Sequence, residues 1–168
     1  MSSTSYAEAI IGWRLWQVIE SEPSSYRLAA WSTDRLVWPP LVRAEGHCLL
    51  GGRGHAVPDR CCGCGLYAFR TRELAEWALA AEMRPVPRVL GQVSLWGLVV
   101  EHRNGWRAQF GYPYDLRLLA GDEAIARELR ATYAVDVEVL DASHLLQRVR
   151  REQRRLFWAR MAAAEAAG

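Results

Sequence analysis

The chain is 168 residues long, about half of them hydrophobic, with 21 basic residues (all arginine) against 19 acidic ones. That length suffices for one sizeable core without disulfide staples, and a formal charge of +2 supplies no global field that would draw the molecule onto nucleic acid or a membrane surface. No apolar run approaches the roughly 18–20 residues of a membrane span, and the opening residues lack the basic and apolar regions of a secretory leader. The expectation is a cytoplasmic protein, where thiols stay reduced and clustered cysteines hold metal rather than disulfides.

Residues 1–10 read as a weakly ordered lead-in. Gly12 to Ile19 mixes aromatic and β-branched residues and predicts a strand, broken over Glu20 to Ser25 by Pro23 and two serines. Tyr26 to Trp31, Leu36 to Trp38 and Leu41 to Ala44 predict short strands of a small meander. Thr71 is an N-cap for a helix to about Met83, with Leu74, Trp77, Ala78 and Ala81 as its apolar stripe, and Pro85 and Pro87 forbid continuation. Val89 to Val100 and Trp106 to Phe110 form a hairpin. A three-residue loop with Gly105 left-handed would pair Glu101 with Arg107 and Val100 with Ala108, placing Trp96, Leu98, Val100, Trp106, Ala108 and Phe110 on one face. Gly97 marks a bulge or a close approach.

Tyr112-Pro113-Tyr114 ends that hairpin, and Leu116 to Leu119 predicts one more edge strand. Asp122 caps a helix to about Tyr133, with Ile125, Leu129 and Tyr133 on one side. Val135 to Leu140 is a half-exposed strand, and Asp141 or Ser143 caps a last helix reaching about Ala166, whose apolar side is Leu145, Leu146, Val149, Leu156, Phe157 and Met161. The fold expected is α+β: an antiparallel sheet, two or three helices and a zinc-stapled loop. Residues 1–140 form the zinc-stabilised domain, and 141–168 a basic helical extension packed on it or projecting from it.

All four cysteines fall between positions 48 and 64. A zinc ion needs four soft or borderline ligands converging tetrahedrally, which favours Cys and His around tight, glycine-bearing turns. Two sets fit: Cys48, His55, Cys62 and Cys64, or the same set with Cys61 in place of Cys62, giving a C-x-x-C-G knuckle. Gly51, Gly52, Gly54, Gly63 and Gly65 free the backbone to wrap an ion, and few apolar residues in 51–65 could otherwise hold so long a loop. A redox pair at Cys61 and Cys64 lacks the strand–motif–helix setting of thioredoxin-like proteins and leaves Cys48 and His55 unexplained. A catalytic zinc requires an open coordination position and a nearby general base, and no His-Glu-x-x-His or His-x-Glu element occurs. The expected ion is a structural Zn2+.

Gly12-Trp13-Arg14, Trp38-Pro39, Cys48, His55-Ala56-Val57-Pro58, Cys62-Gly63-Cys64-Gly65-Leu66-Tyr67-Ala68, Val93 with Trp96-Gly97, and Gly105-Trp106-Arg107-Ala108 together resemble a group of small proteins from high-GC actinobacteria. The resemblance spans about 12–115. It implies Cys48, His55, Cys62 and Cys64 as the ligand set and carries no activity.

The last helix bears Arg148, Arg150, Arg151, Arg154, Arg155 and Arg160 against Glu152 alone. Its simplest role is a solvated face; Arg148, Arg151, Arg154 and Arg155 are otherwise candidates for contact with a partner or with nucleic acid, in which case binding falls steeply with salt. The tryptophans of the strands could stack bases, though rings of that size more often fill a core. No carboxylate pairing, phosphate-binding loop or nucleophile elbow marks a catalytic site. A non-enzymatic adaptor or regulatory module that binds another protein is the first expectation, nucleic-acid binding the second, and redox or enzymatic use of Cys61–Cys64 the third.

Overall fold

The computed structural model describes residues 3–31, 36–48, 54–81, 87–119 and 122–166. Three long strands form the frame: β1 (Ser3–Glu22), β5 (Arg88–His102) and β6 (Gly105–Leu119). Between β1 and β5 come β2 (Ser25–Ala30), β3 (Ala44–Glu45), β4 (Leu66–Phe69) and helix α1 (Arg72–Ala81). After β6 follow α2 (Glu123–Tyr133), β7 (Asp136–Leu140) and α3 (Ala142–Ala166). The class is α+β, as expected, but the sheet is mixed: six strands pair antiparallel and β7 runs parallel to β6. The α2 crossover produces that change of direction, since a parallel neighbour cannot be reached by a tight turn.

β1 pairs with β5, β5 with β6, β6 with β4, and β4 returns to β1 through Trp13 opposite Phe69. Trp16, Leu28, Trp38, Val93, Leu95, Ala108, Leu116 and Leu118 fill the main core, which Ala126, Leu129 and Tyr133 of α2 cover. A second cluster sets Ala75 and Leu79 of α1 against Leu15, Leu90 and Leu119, with Leu145 and Leu146 of α3 packed on it.

Several expectations need correction. Residues 3–10 are not a lead-in: β1 begins at Ser3, and Ser3 to Tyr6 pair with Gly97 to Val100 before a register shift ahead of Ile10. The long partner strand recruits residues whose own β propensity is weak. Leu36 to Trp38 contributes only a bridge between Val37 and Ala29. The hairpin turn has two residues, Arg103 and Asn104, so Glu101 faces Trp106, Val100 faces Arg107 and Val99 faces Ala108. Gly105 is not left-handed. It lies against β4, where a Cβ would sit 1.9 Å from the Ala68 carbonyl oxygen, so its glycine answers to a strand far back in the chain rather than to the turn. Gly97 does mark a bulge, at φ +78°: the register set by the turn runs to Val99 opposite Ala108, and beyond the shift Trp96 stands opposite Phe110.

Pro113 does not end the hairpin. β6 continues to Leu119, and Leu116 to Leu119 lie between β5 and β7 rather than at an edge. Pro113 falls in the interval between the β3 and β7 pairings on that side of β6. α1 turns Ala75, Glu76 and Leu79 inward, one position over from the expected stripe, and leaves Ala81 exposed. Its inner face meets α3, and Glu76 is buried because Arg72 (2.7 Å) and Arg148 (2.8 Å) hold its carboxylate. The expected caps are in place: the Ile125 N–H donates to Asp122 and the Ser143 N–H to Asp141, while Thr71 accepts from Leu74 N–H at 3.4 Å. On α3, Val149 is buried with Leu145 and Leu146 packed nearby, whereas Leu156 is exposed. Met83, Pro85, Gly51 and Gly52, and the side chains of Phe157, Arg160 and Met161, lie outside the described residues. No helix among the described residues is long and apolar enough to cross a membrane.

Candidate metal centre

β3 and β4 dock on the same side of β6, one after the other: Ala44 and Glu45 pair with Gly111 and Phe110, while Leu66 to Phe69 pair with Ala108 to Gly105. Cys48 lies three residues beyond β3 and Cys64 two residues before β4, so the topology brings the two arms of the loop together where these short strands meet. The arms are themselves in contact: a Cβ on Gly46 would come within 2.8 Å of the Gly65 Cα. Gly65 adopts φ +103°, a conformation side chains resist, and so turns the chain from the loop into β4.

The donor atoms of Cys48, His55, Cys62 and Cys64 all lie within 4.8 Å of one another, close enough to bind one metal ion. The Cys48 and Cys62 sulfurs are 3.7 Å apart, far beyond the roughly 2.05 Å of a disulfide. A tetrahedral ion with Zn–S bonds of about 2.3 Å holds its sulfurs about 3.8 Å apart, so the spacing fits such an ion. Cys61, the alternative ligand, is exposed and outside the cluster. Its place in the chain serves the turn: the Cys61 N–H donates to the Asp59 carboxylate at 2.8 Å, and the Cys62 N–H reaches the Asp59 carbonyl at 3.4 Å.

Further contacts orient the donors. With its proton on Nδ1, His55 donates to the Ala56 carbonyl at 2.9 Å, the tautomer that leaves Nε2 bare for a metal. That carbonyl is also the main reason the His55 imidazole is held above its ordinary pKa. The Cys64 N–H, followed by the side chains of Cys48, Cys64 and His55, holds the Cys62 thiol below its usual value. Burial pushes the Cys64 thiol up, although the Asp59 N–H donates to its sulfur at 3.3 Å.

The sequence reading missed Arg107. Only 8% exposed, it rises from β6 beneath the loop. Its Nη1 donates to the carbonyls of Asp59 (3.1 Å), Cys64 (3.0 Å) and Cys62, and its Nε to His102 Nε2 at 2.8 Å. One guanidinium thus gathers three carbonyls that no strand or helix partner satisfies, and it sets a positive charge beside a loop that would carry three thiolates. The available signal was the loop's own need: a segment poor in apolar residues leaves carbonyls that only donors from elsewhere can reach.

Arg148 is committed to Glu76, and Arg151, Arg154 and Arg155 are exposed. Trp16 and Trp38 are core, in edge-to-face contact at 5.4 Å, and Trp13, Trp31, Trp77, Trp96 and Trp106 are part-buried. Comparison with protein-family models, with curated proteins and with solved structures returned no match for this chain.

Proposed function

We propose that this protein is a non-enzymatic binding module that captures another protein, and that Cys48, His55, Cys62 and Cys64 hold a structural Zn2+ that shapes its binding end. The convergence of four soft donors carries this reading, because a complete set leaves no coordination position for a substrate. Support for protein capture comes from the segment flanking the metal loop. Val37, Leu41 and Val42 are 45%, 68% and 58% exposed, on a backbone held from beneath by two tyrosines. Tyr133 donates to the Trp38 carbonyl at 2.8 Å, and the Leu41 N–H donates to the Tyr112 hydroxyl at 2.9 Å. Apolar side chains displayed on a pinned backbone suit recognition of a protein surface.

The test is site-specific photocrosslinking from position 41 in the native extract, compared with a Val37→Ser/Val42→Ser variant. A discrete adduct abolished in the variant supports the module; no adduct, or one indifferent to the substitutions, rejects it. Nucleic-acid binding is the second reading, favoured by the exposed Arg151, Arg154 and Arg155. It requires an affinity for DNA or RNA that falls with salt and is lost in an Arg151→Glu/Arg154→Glu variant.

A further inference from the structure

A cavity of about 590 Å³ lies beside the metal cluster, inside the range of about 300–1,000 Å³ common to small-molecule sites. Trp38, Ala44 and Leu66 are its buried floor, Cys62 to Gly65 form one wall, and Val37 and Arg43 stand exposed at its mouth. Arg14 enters from β1. Its guanidinium lies 5.0 Å from the Trp38 ring centroid and 5.9 Å from that of Trp16.

The hydrogen bonds of Arg14 are incomplete. Nη1 donates to the Tyr67 carbonyl, while Nε is buried with no partner at all. Nη2 has no protein acceptor among the described residues either, which leaves the Nε–Nη2 edge unspent. Among the described residues one carboxylate lines the cavity, that of Glu45, and it is exposed and 3.1 Å from Arg43. Burial without a neighbouring anion lowers the Arg14 pKa to about 10. A desolvated guanidinium with one free edge is matched by an acceptor offering two parallel oxygens. Phosphate also fits that fork, but it brings a second negative charge, which the thiolates of the Cys62–Cys64 wall disfavour, so a singly charged group over the apolar floor suits the site better.

We propose that this cavity binds a small molecule carrying one carboxylate on a flat apolar body. Arg14 takes the carboxylate through its Nε–Nη2 edge, and the body lies against Trp38, Leu66 and Val37. This site does not depend on the protein-binding reading, since crosslinking from position 41 reports that reading separately.

Calorimetric titration of the metal-loaded protein with benzoate, 2-naphthoate and indole-3-acetate tests it, each against its uncharged amide and with inorganic phosphate as a further control. At least one carboxylate is expected to bind with Kd about 1 mM or tighter, its amide about tenfold weaker or worse. Arg14→Lys, which keeps the charge but loses the fork, should weaken the carboxylate about tenfold. Arg14→Gln should abolish the preference over the amide. Because Arg14 also packs on two indoles, Val37→Glu provides a variant at the exposed mouth: it should repel the carboxylate while leaving the melting temperature unchanged. Equal binding of acids and amides, phosphate binding as tightly as the best acid, no acid binding below 10 mM, or full affinity in Val37→Glu would each overturn the proposal.

Discussion

The loop bearing Cys48, His55, Cys62 and Cys64 and the helix pair α1–α3 are both peripheral to the same sheet, and they are fastened to it by opposite means. α1 and α3 are held by burial: Ala75, Leu79, Leu145 and Leu146 close over Leu15, Leu90 and Leu119, and the buried charge of Glu76, at 4% exposure, is answered by two arginines. None of the loop's described residues belongs to either apolar cluster. It is organised by donor atoms, four converging on a point where an ion fits and three carbonyls converging on Arg107. Burial tolerates the loss of one contact, because the transfer free energy is spread over many atoms. A set of convergent donors does not, because each partner left alone in a buried place carries its own desolvation cost.

The largest expected effect that separates the two regions comes from removing the metal. Chelation, or Cys64→Ser, should free residues 46–65 while β5 and β6 keep their own core of Val93, Leu95, Leu116 and Leu118. Amide exchange is then expected to rise by orders of magnitude in the loop and to change little in the central hairpin. Uniform loss of protection would show that the sheet itself depends on the ion. Arg107→Met comes next. The Cys62 and Cys64 carbonyls lose their donor and the Asp59 carbonyl keeps only the Cys62 N–H, so stability should fall by roughly 1–3 kcal/mol and metal affinity by about 10–100-fold, read by denaturant titration and by competition with a chelator. An unchanged affinity would deny Arg107 its part in the site.

At the other end Glu76→Ala should cost roughly 1–2 kcal/mol and speed exchange in the first turns of α3. Arg148→Ala should cost only about 0.5–1 kcal/mol, because Arg148 is largely solvated and Arg72 remains with Glu76. If Arg148→Ala proves the costlier, the ion pair rather than the leucines fixes α3. Cys61→Ser is the smallest: an exposed side chain outside the cluster should change stability by less than about 0.5 kcal/mol and leave metal content intact. Loss of metal in that variant would restore Cys61 as a ligand.

What the sequence made legible follows the same division. Elements whose signal is local were readable: the Asp122 cap and the Leu129–Tyr133 face of α2, the Gly12–Ile19 core of β1, and the paired strands around Arg103-Asn104. So was the Cys/His cluster, because metal ligation confines Cys and His to close spacing around turns, although spacing alone left Cys61 and Cys62 as alternatives. What failed depended on partners far along the chain. Gly105 looked like a turn residue, but its glycine is required by Ala68. Residues 3–6 carry little strand signal and are drawn into β1 by β5. Pro113 looked like a terminator because its missing N–H is costly only where a ladder needs it, and where β6 changes neighbours cannot be read from β6 alone. Nothing marked Arg14 or Arg107 for its place, since alternation cannot tell a solvated arginine from one that reaches under a loop or into a cavity.

Whether one ion orders residues 46–48 and 54–65 is decided by native mass spectrometry of protein purified without added metal. The expected result is a single zinc per folded chain, retained in Cys61→Ser and lost in Cys62→Ser. A folded, metal-free wild-type chain, or zinc retained without Cys62, would contradict it.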